Sequence, residues 1–195
     1  MIHSDIYDFK GQNIVNTDLQ RLINGCLTND RSCQKEIYVR YSPAMMSLCL
    51  RYTKNRQEAE EVLQDGFLQM YRRIQQFKNT GTFEGWLRRI MINCALQKYR
   101  RVSNRFRHVV ISEELYYLPS DLSVSNQLQE KELIRLIQSL PPASRLVFNL
   151  YVFEGLKHRE IAQLLDISEG TSKSNLFDAR NILKKQLKRE FKIAK

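Results

Sequence analysis

The chain has 195 residues, 43% of them hydrophobic, which suits one or two domains with real cores and excludes wholesale disorder. A formal charge of +10 and a pI near 9.6 favour nucleic acid, an anionic membrane or an acidic protein as partner. No apolar run approaches the roughly 18 residues a spanning helix needs, and Met1-Ile2-His3-Ser4-Asp5 lacks a basic-then-apolar leader. Membrane insertion is therefore not expected, and the cytoplasm is the expected location.

Residues 1–16 carry no pattern and read as a loose arm. Helical spacing begins after Thr17, a candidate N-cap, with Leu19, Leu22, Ile23 and Cys26 on one stripe. Asn29-Asp30 marks a turn. A second helix, from about Arg31 to Thr53, presents Ile37, Tyr38, Tyr41, Met45, Leu48, Cys49 and Tyr52, with Pro43 as a point of kinking or restart. Cys26, Cys33, Cys49 and Cys94 show neither metal-ligand spacing nor a disulfide framework, so packed thiols are expected, with no metal and no cofactor.

The most informative stretch runs from Glu58 to Arg101. Val62, Leu63, Phe67, Met70, Tyr71, Ile74 and Phe77 draw one helical stripe. Phe83, Trp86, Leu87, Ile90, Met91, Cys94, Ala95 and Tyr99 draw another. Lys78-Asn79-Thr80-Gly81-Thr82 breaks the two apart. The first half opens with Glu58, Glu60, Glu61 and Asp65. The second, from Arg88 to Arg107, carries Arg88, Arg89, Lys98, Arg100, Arg101, Arg105 and Arg107 without an acid. One acidic and one basic helix suggest two different partners, the basic one meeting a polyanion. Arg89, Asn93, Gln97 and Arg100, at spacings of four and three, are expected on one face opposite the Trp86–Ile90 stripe.

Between residues 105 and 128 the pattern fails, and the Glu113, Glu114, Pro119, Ser120, Asp121, Ser123 and Ser125 composition reads as a flexible linker. Beyond it, Leu133 to Leu140 form a helix stopped at Pro141-Pro142, Ala143 to Phe153 a second, and His158 to Leu165 a third. After the turn Asp166-Ile167-Ser168 a long helix runs through Lys188, with Ser168 as its N-cap. The expected fold class is all-α. An N-terminal helical domain over 17–104 is joined by the linker to a helix-turn-helix domain over 129–190.

Taken in order, Glu58-Ala59-Glu60-Glu61-Val62-Leu63-Gln64-Asp65-Gly66-Phe67, Phe83-Glu84-Gly85-Trp86-Leu87-Arg88-Arg89-Ile90, Leu140-Pro141-Pro142, Glu160-Ile161-Ala162 and Glu169-Gly170-Thr171-Ser172-Lys173-Ser174 resemble a bacterial RNA polymerase sigma factor. The likeness is to the extracytoplasmic-function (ECF) group of the sigma-70 family and covers roughly 18–188. It implies an alternative sigma factor that binds core RNA polymerase and promoter DNA and nucleates strand opening at the −10 element, without being an enzyme itself. It implies no small-molecule substrate. An anti-sigma protein, common in the family, would have to cover the same acidic and basic faces.

The resemblance also implies roles residue by residue. Glu58, Glu61, Gln64 and Asp65 would bind core polymerase. Lys78, Asn79 and Thr80 would hold a flipped −10 base, while Arg88, Arg89, Asn93, Gln97, Lys98 and Arg101 would grip the −10 strand. Thr171, Lys173, Ser174, Asn175, Phe177 and Asp178 would read the −35 element, with Arg180 nearer the phosphates. Asn175 and Asp178 stand where relatives frequently carry basic residues. Asn suits adenine and Asp suits cytosine, so a typical −35 preference is not carried over. Ser172 replaces a commoner β-branched residue and is expected to loosen packing behind the reading helix. The rival is an ordinary helix-turn-helix regulator that dimerises on duplex DNA without polymerase. A nucleic-acid enzyme is disfavoured, since no paired carboxylates, nucleophile–base pair or metal ligands recur at workable spacing.

Overall fold

A computed structural model describes the backbone of residues 7–103 and 127–193, and the side chains of 17–101 and 130–189. Every regular element among the described residues is helical. Among the described residues, four α-helices precede residue 104: α1 (Tyr7–Leu27), α2 (Arg31–Tyr52), α3 (Arg56–Arg73), which runs on into a 3-10 turn at Ile74–Gln76, and α4 (Phe83–Ser103). Four follow residue 126: α5 (Gln127–Gln138), α6 (Pro142–Val152), α7 (His158–Leu165) and α8 (Glu169–Ile193).

The helix starts follow capping chemistry. Asp30 accepts from the backbone N–H of Ser32 and Cys33 at the head of α2, and Asn55 accepts from that of Glu58 at the head of α3. Thr82 Oγ1 accepts from Gly85 N at the head of α4 (3.1 Å), and Ser168 Oγ accepts from Thr171 N at the head of α8 (3.0 Å). Thr17, in contrast, lies inside α1, which starts at Tyr7. No proline interrupts 7–27, so nothing there breaks the hydrogen-bond ladder. Pro43 does not end α2; it falls on an exposed stretch where water can serve the carbonyl that the ring deprives of a donor. The expected linker lies largely outside the described residues, although α5 already begins at Gln127.

The front helices form one core. Ile37, Met45, Leu48, Met70, Leu87 and Met91 are wholly or almost wholly buried in it. Where α3 crosses α4, a Cβ on Gly66 would lie 2.1 Å from Met91 Sδ, so the absence of a side chain lets the helices close on each other. Burial pushes the Cys49 thiol up to about 12 and that of Cys94 up to about 11, as expected of thiols packed as small hydrophobes.

In the back lobe α7 and α8 meet through Ile161, Ala162, Leu165, Leu176 and Ala179, all buried. Asp166 turns the chain between them in the left-handed conformation (φ 54°), which Asp tolerates better than most residues. The two lobes also touch. α5 and α6 lie against the C-terminal half of α2, and one apolar cluster runs through both lobes.

Candidate nucleic-acid interface

The 78–82 turn closes over an aromatic cluster. Phe77, Phe83 and Trp86 pack with ring centroids 5.4–5.7 Å apart, and Tyr41 adds a ring 5.2 Å from Phe83. Asn79 has φ 56°, and its amide reaches Gln20 Oε1 at 3.5 Å. Beside the turn opens a pocket of about 340 Å³ lined by residues that include Ile23, Tyr41, Phe77, Asn79, Thr82 and Phe83. Lys78, Asn79 and Thr80 are brought together at its rim or next to it, all partly or fully exposed. Trp86 is half-buried against this cluster rather than sealed in the core.

α3 turns Glu61, Gln64 and Asp65 outward, with Leu68 (53% exposed) beside them. Glu58 is set apart from these three. It pairs with Lys54 Nζ at 3.0 Å on the side facing the α2–α3 turn. Burial works against its ionised form, but the hydrogen bonds and charge of Lys54 outweigh that and hold the carboxyl below its ordinary range. Glu61 and Lys98 form an ion pair that bridges α3 and α4, so the acidic and basic series are joined at one point.

The basic helix differs most from expectation. α4 is covered on two sides. Phe83, Leu87, Ile90, Met91 and Cys94 face the front core, whereas Ile92 and Leu96, on the opposite side, are equally buried. Arg88, Ile92, Leu96 and Arg100 follow at intervals of four on that second side. Both ends of the row bind the back lobe. Arg88 Nη2 meets the Glu154 carboxylate at 3.1 and 3.3 Å, and Arg100 Nη2 donates to Leu164 O at 2.9 Å. Burial lowers the Arg100 pKa from its ordinary value. Arg88 and Arg100 are therefore not the open basic face that the sequence suggested.

Arg89, Asn93 and Gln97 are half-buried and share a side with Trp86, from which they lie three, seven and eleven residues along; they do not oppose it. Arg101 is exposed. A signal for the second covered side was present in the sequence: an Ile and a Leu four apart, off the core stripe, among Arg88, Asn93, Gln97, Lys98 and Arg100.

On α8, Thr171, Lys173, Ser174, Phe177, Asp178 and Arg180 are exposed, and Phe177 stands out at 66%. Arg180 lies over the Tyr151 ring at 5.7 Å. Asn175 turns away from this group toward α6. It accepts from Ser144 Oγ at 3.1 Å and donates to Thr171 O at 2.9 Å, so both ends of its amide are engaged within the lobe. Ser172 is fully buried, and its packing is not loose. Its hydroxyl meets His158 Nδ1 at 2.9 Å, and the His158 ring stacks on Tyr151 at 4.8 Å. Among the described residues no group of His, Cys, Asp and Glu is placed to hold a metal, and no helix is long and apolar enough to cross a membrane.

Residues 37–105 match the family described as Sigma-70 region 2, and residues 130–183 match Sigma-70, region 4. The chain belongs to the sigma-70 family, in its ECF group. RNA polymerase sigma-H factor of Pseudomonas aeruginosa is 28% identical over 181 residues, covering 86% of this chain and 93% of that protein. ECF RNA polymerase sigma-E factor of Escherichia coli is 28% identical over 176 residues, covering 84% and 91%. ECF RNA polymerase sigma factor SigE of Mycolicibacterium smegmatis is 30% identical over 157 residues, covering 78% of this sigma factor and 60% of its own length. The solved RpoE of Bartonella quintana, in complex with the anti-sigma factor NepR, superposes with a TM-score of 0.46 at 21% identity, over 79% of this chain and 96% of that one.

Proposed function

We propose that the chain is an alternative sigma factor that binds core RNA polymerase, directs it to a restricted set of promoters and nucleates opening at the −10 element. The observation that carries this is the ordered pair of matches, region 2 and then region 4, on one all-helical chain. In the site, an outward acidic face on α3 stands beside an aromatic-backed pocket and a basic helix. The family is not a class of enzymes; bond-making belongs to the polymerase.

In this reading Glu61, Gln64 and Asp65 on α3 dock the polymerase, with Glu58 at the edge of the contact. The pocket beside the 78–82 turn takes a base flipped from the −10 element. Unstacking a base costs a few kcal/mol, which an aromatic-lined recess can offset. Arg89, Asn93, Gln97 and Arg101 run alongside it toward the displaced strand, joined by Arg88 and Lys98 when these leave their present partners. Phosphate contacts of this kind supply affinity without sequence. On α8, Lys173, Ser174, Phe177 and Asp178 face the −35 bases. Phe177 suits a thymine methyl and Asp178 a cytosine amine. Thr171 and Arg180 flank them at the backbone, and Asn175 positions the helix.

A run-off assay with core polymerase tests the reading. Promoter-dependent transcripts that appear only when the chain is added are expected. A purified homodimer that shifts duplex DNA, with no such transcripts, would overturn it in favour of a conventional helix-turn-helix regulator.

A further inference from the structure

The pocket beside the 78–82 turn has a wall that the family match does not include. Region 2 is matched from residue 37 onward, whereas Leu19, Gln20 and Ile23 of α1 line the pocket together with Asn79 and Glu84. The α1 wall is held from two directions. α1 packs against the 3-10 turn at Ile74–Gln76. It is also tied to α2 by charge. Asp18 pairs with Arg21 at 3.2 Å and with Arg40, while Glu36 pairs with Arg21 at 3.0 Å and with Arg40 at 3.4 Å. An isolated exposed pair contributes little, but a closed network of two acids and two arginines fixes how the helices lie side by side.

Across the pocket mouth, side-chain amides join the wall to the turn. Asn79 stands in the left-handed conformation at φ 56°, and its Nδ2 donates to Gln20 Oε1 at 3.5 Å. Gln20 Nε2 in turn donates at 3.1 Å to Asn24 Oδ1, one turn further along α1. An amide has a donor end and an acceptor end, and a neighbour that engages one end leaves the other for a guest. With Nδ2 engaged by Gln20, Asn79 offers Oδ1. The Glu84 carboxylate on the lining is an acceptor too. The volume of about 340 Å³ lies at the small end of ligand pockets and suits a single base rather than a length of strand.

We propose that Gln20 is a positioning residue for promoter recognition. By holding the Asn79 amide it sets the pocket to accept from the exocyclic amine of the flipped −10 base, and so to prefer cytosine or adenine to thymine. The proposal rests on the reading of the pocket as the site of that base. Cytosine carries its amine at N4 and adenine at N6, where thymine carries a carbonyl, O4. A carbonyl turned toward Asn79 Oδ1 and a carboxylate loses its water without gaining a donor. In the free chain Gln20 and Asn79 are exposed to water. A seated base expels that water, so the orientation of Asn79 counts most in the bound state.

The test uses holoenzyme, core polymerase with the full chain, bound to single-stranded DNA randomised across the non-template −10 element and read by sequencing. One position is expected to favour cytosine or adenine over thymine by about tenfold, as one good hydrogen bond to a base contributes. Asn79→Gly, which keeps the left-handed turn without strain, should level that position and no other. Gln20→Glu still accepts from Asn79 Nδ2 and should keep the wild-type ratio. Gln20→Lys has only donors, so it should turn the Asn79 amide round and lower the ratio of cytosine or adenine to thymine there by about tenfold. Its added charge acts on all sequences alike and does not move a ratio at one position. If Asn79→Gly levels the position while Gln20→Lys leaves the wild-type ratio, the positioning role is overturned and the pocket stands. A position that Asn79→Gly levels but that favours thymine in the wild type also overturns the proposal. If Asn79→Gly leaves every −10 preference unchanged, the pocket is not the base site, and both readings fall.

Discussion

α3 and α4 are neighbours of similar length, yet they are exposed in opposite ways. α3 buries one stripe, Ala59 through Met70, and leaves its other side to water. α4 buries Leu87 and Met91 on one side and Ile92 and Leu96 on the other. On the role proposed for it, the α3 surface tolerates exposure, because its acids are solvated and repel non-specific DNA. On the role proposed for α4, an open basic surface on a chain of net charge +10 would attract any nucleic acid it met. Covering it is a physical route to selectivity.

The strongest way to break this comparison is to truncate each side of α4. Leu87→Ala should cost about 2–5 kcal/mol of stability, read as a lowered thermal midpoint, because it leaves a cavity in the front core. Leu96→Ala, on the side from which Arg88 and Arg100 reach the back lobe, should give a smaller loss of midpoint. An equal loss for both would assign Leu96 to the front core.

Reversing charge on α3 with Glu61→Arg and Asp65→Arg sharpens the other half. Core polymerase binding should weaken by about 2 kcal/mol, as for like charges brought together at an interface. On α8, Asp178→Ala should shift preference at one −35 base pair by about 1–3 kcal/mol, measured on a library of −35 variants. Asn175→Ala should cost only about 1 kcal/mol of stability and alter no base preference. A changed preference would return it to the reading face. The smallest effect is expected from Arg89→Ala, which should impair strand opening and reduce the salt dependence of −10 binding by about one unit of slope, with core binding intact.

Much of this was legible from residues alone. The stripes of α3 and α4 and the cap at Ser168 each follow from local chemistry that a single helix carries with it. Helical periodicity says that a side is covered but not by what, which is why Ile92 and Leu96 went unassigned and the arginines beside them read as open. The fate of Asn175 depended on Ser144, thirty-one residues away, and that of Ser172 on His158 across the helix-turn-helix; neither pairing has a sequence signature.

The contact between Gly66 and Met91 has a consequence for how force travels through the molecule. The thioether is seated where a methyl would otherwise project, so the two helices interlock at this point. The pair is therefore closely packed along its crossing. On the roles proposed above, whatever seizes the acidic limb carries the basic limb with it at a closely held offset.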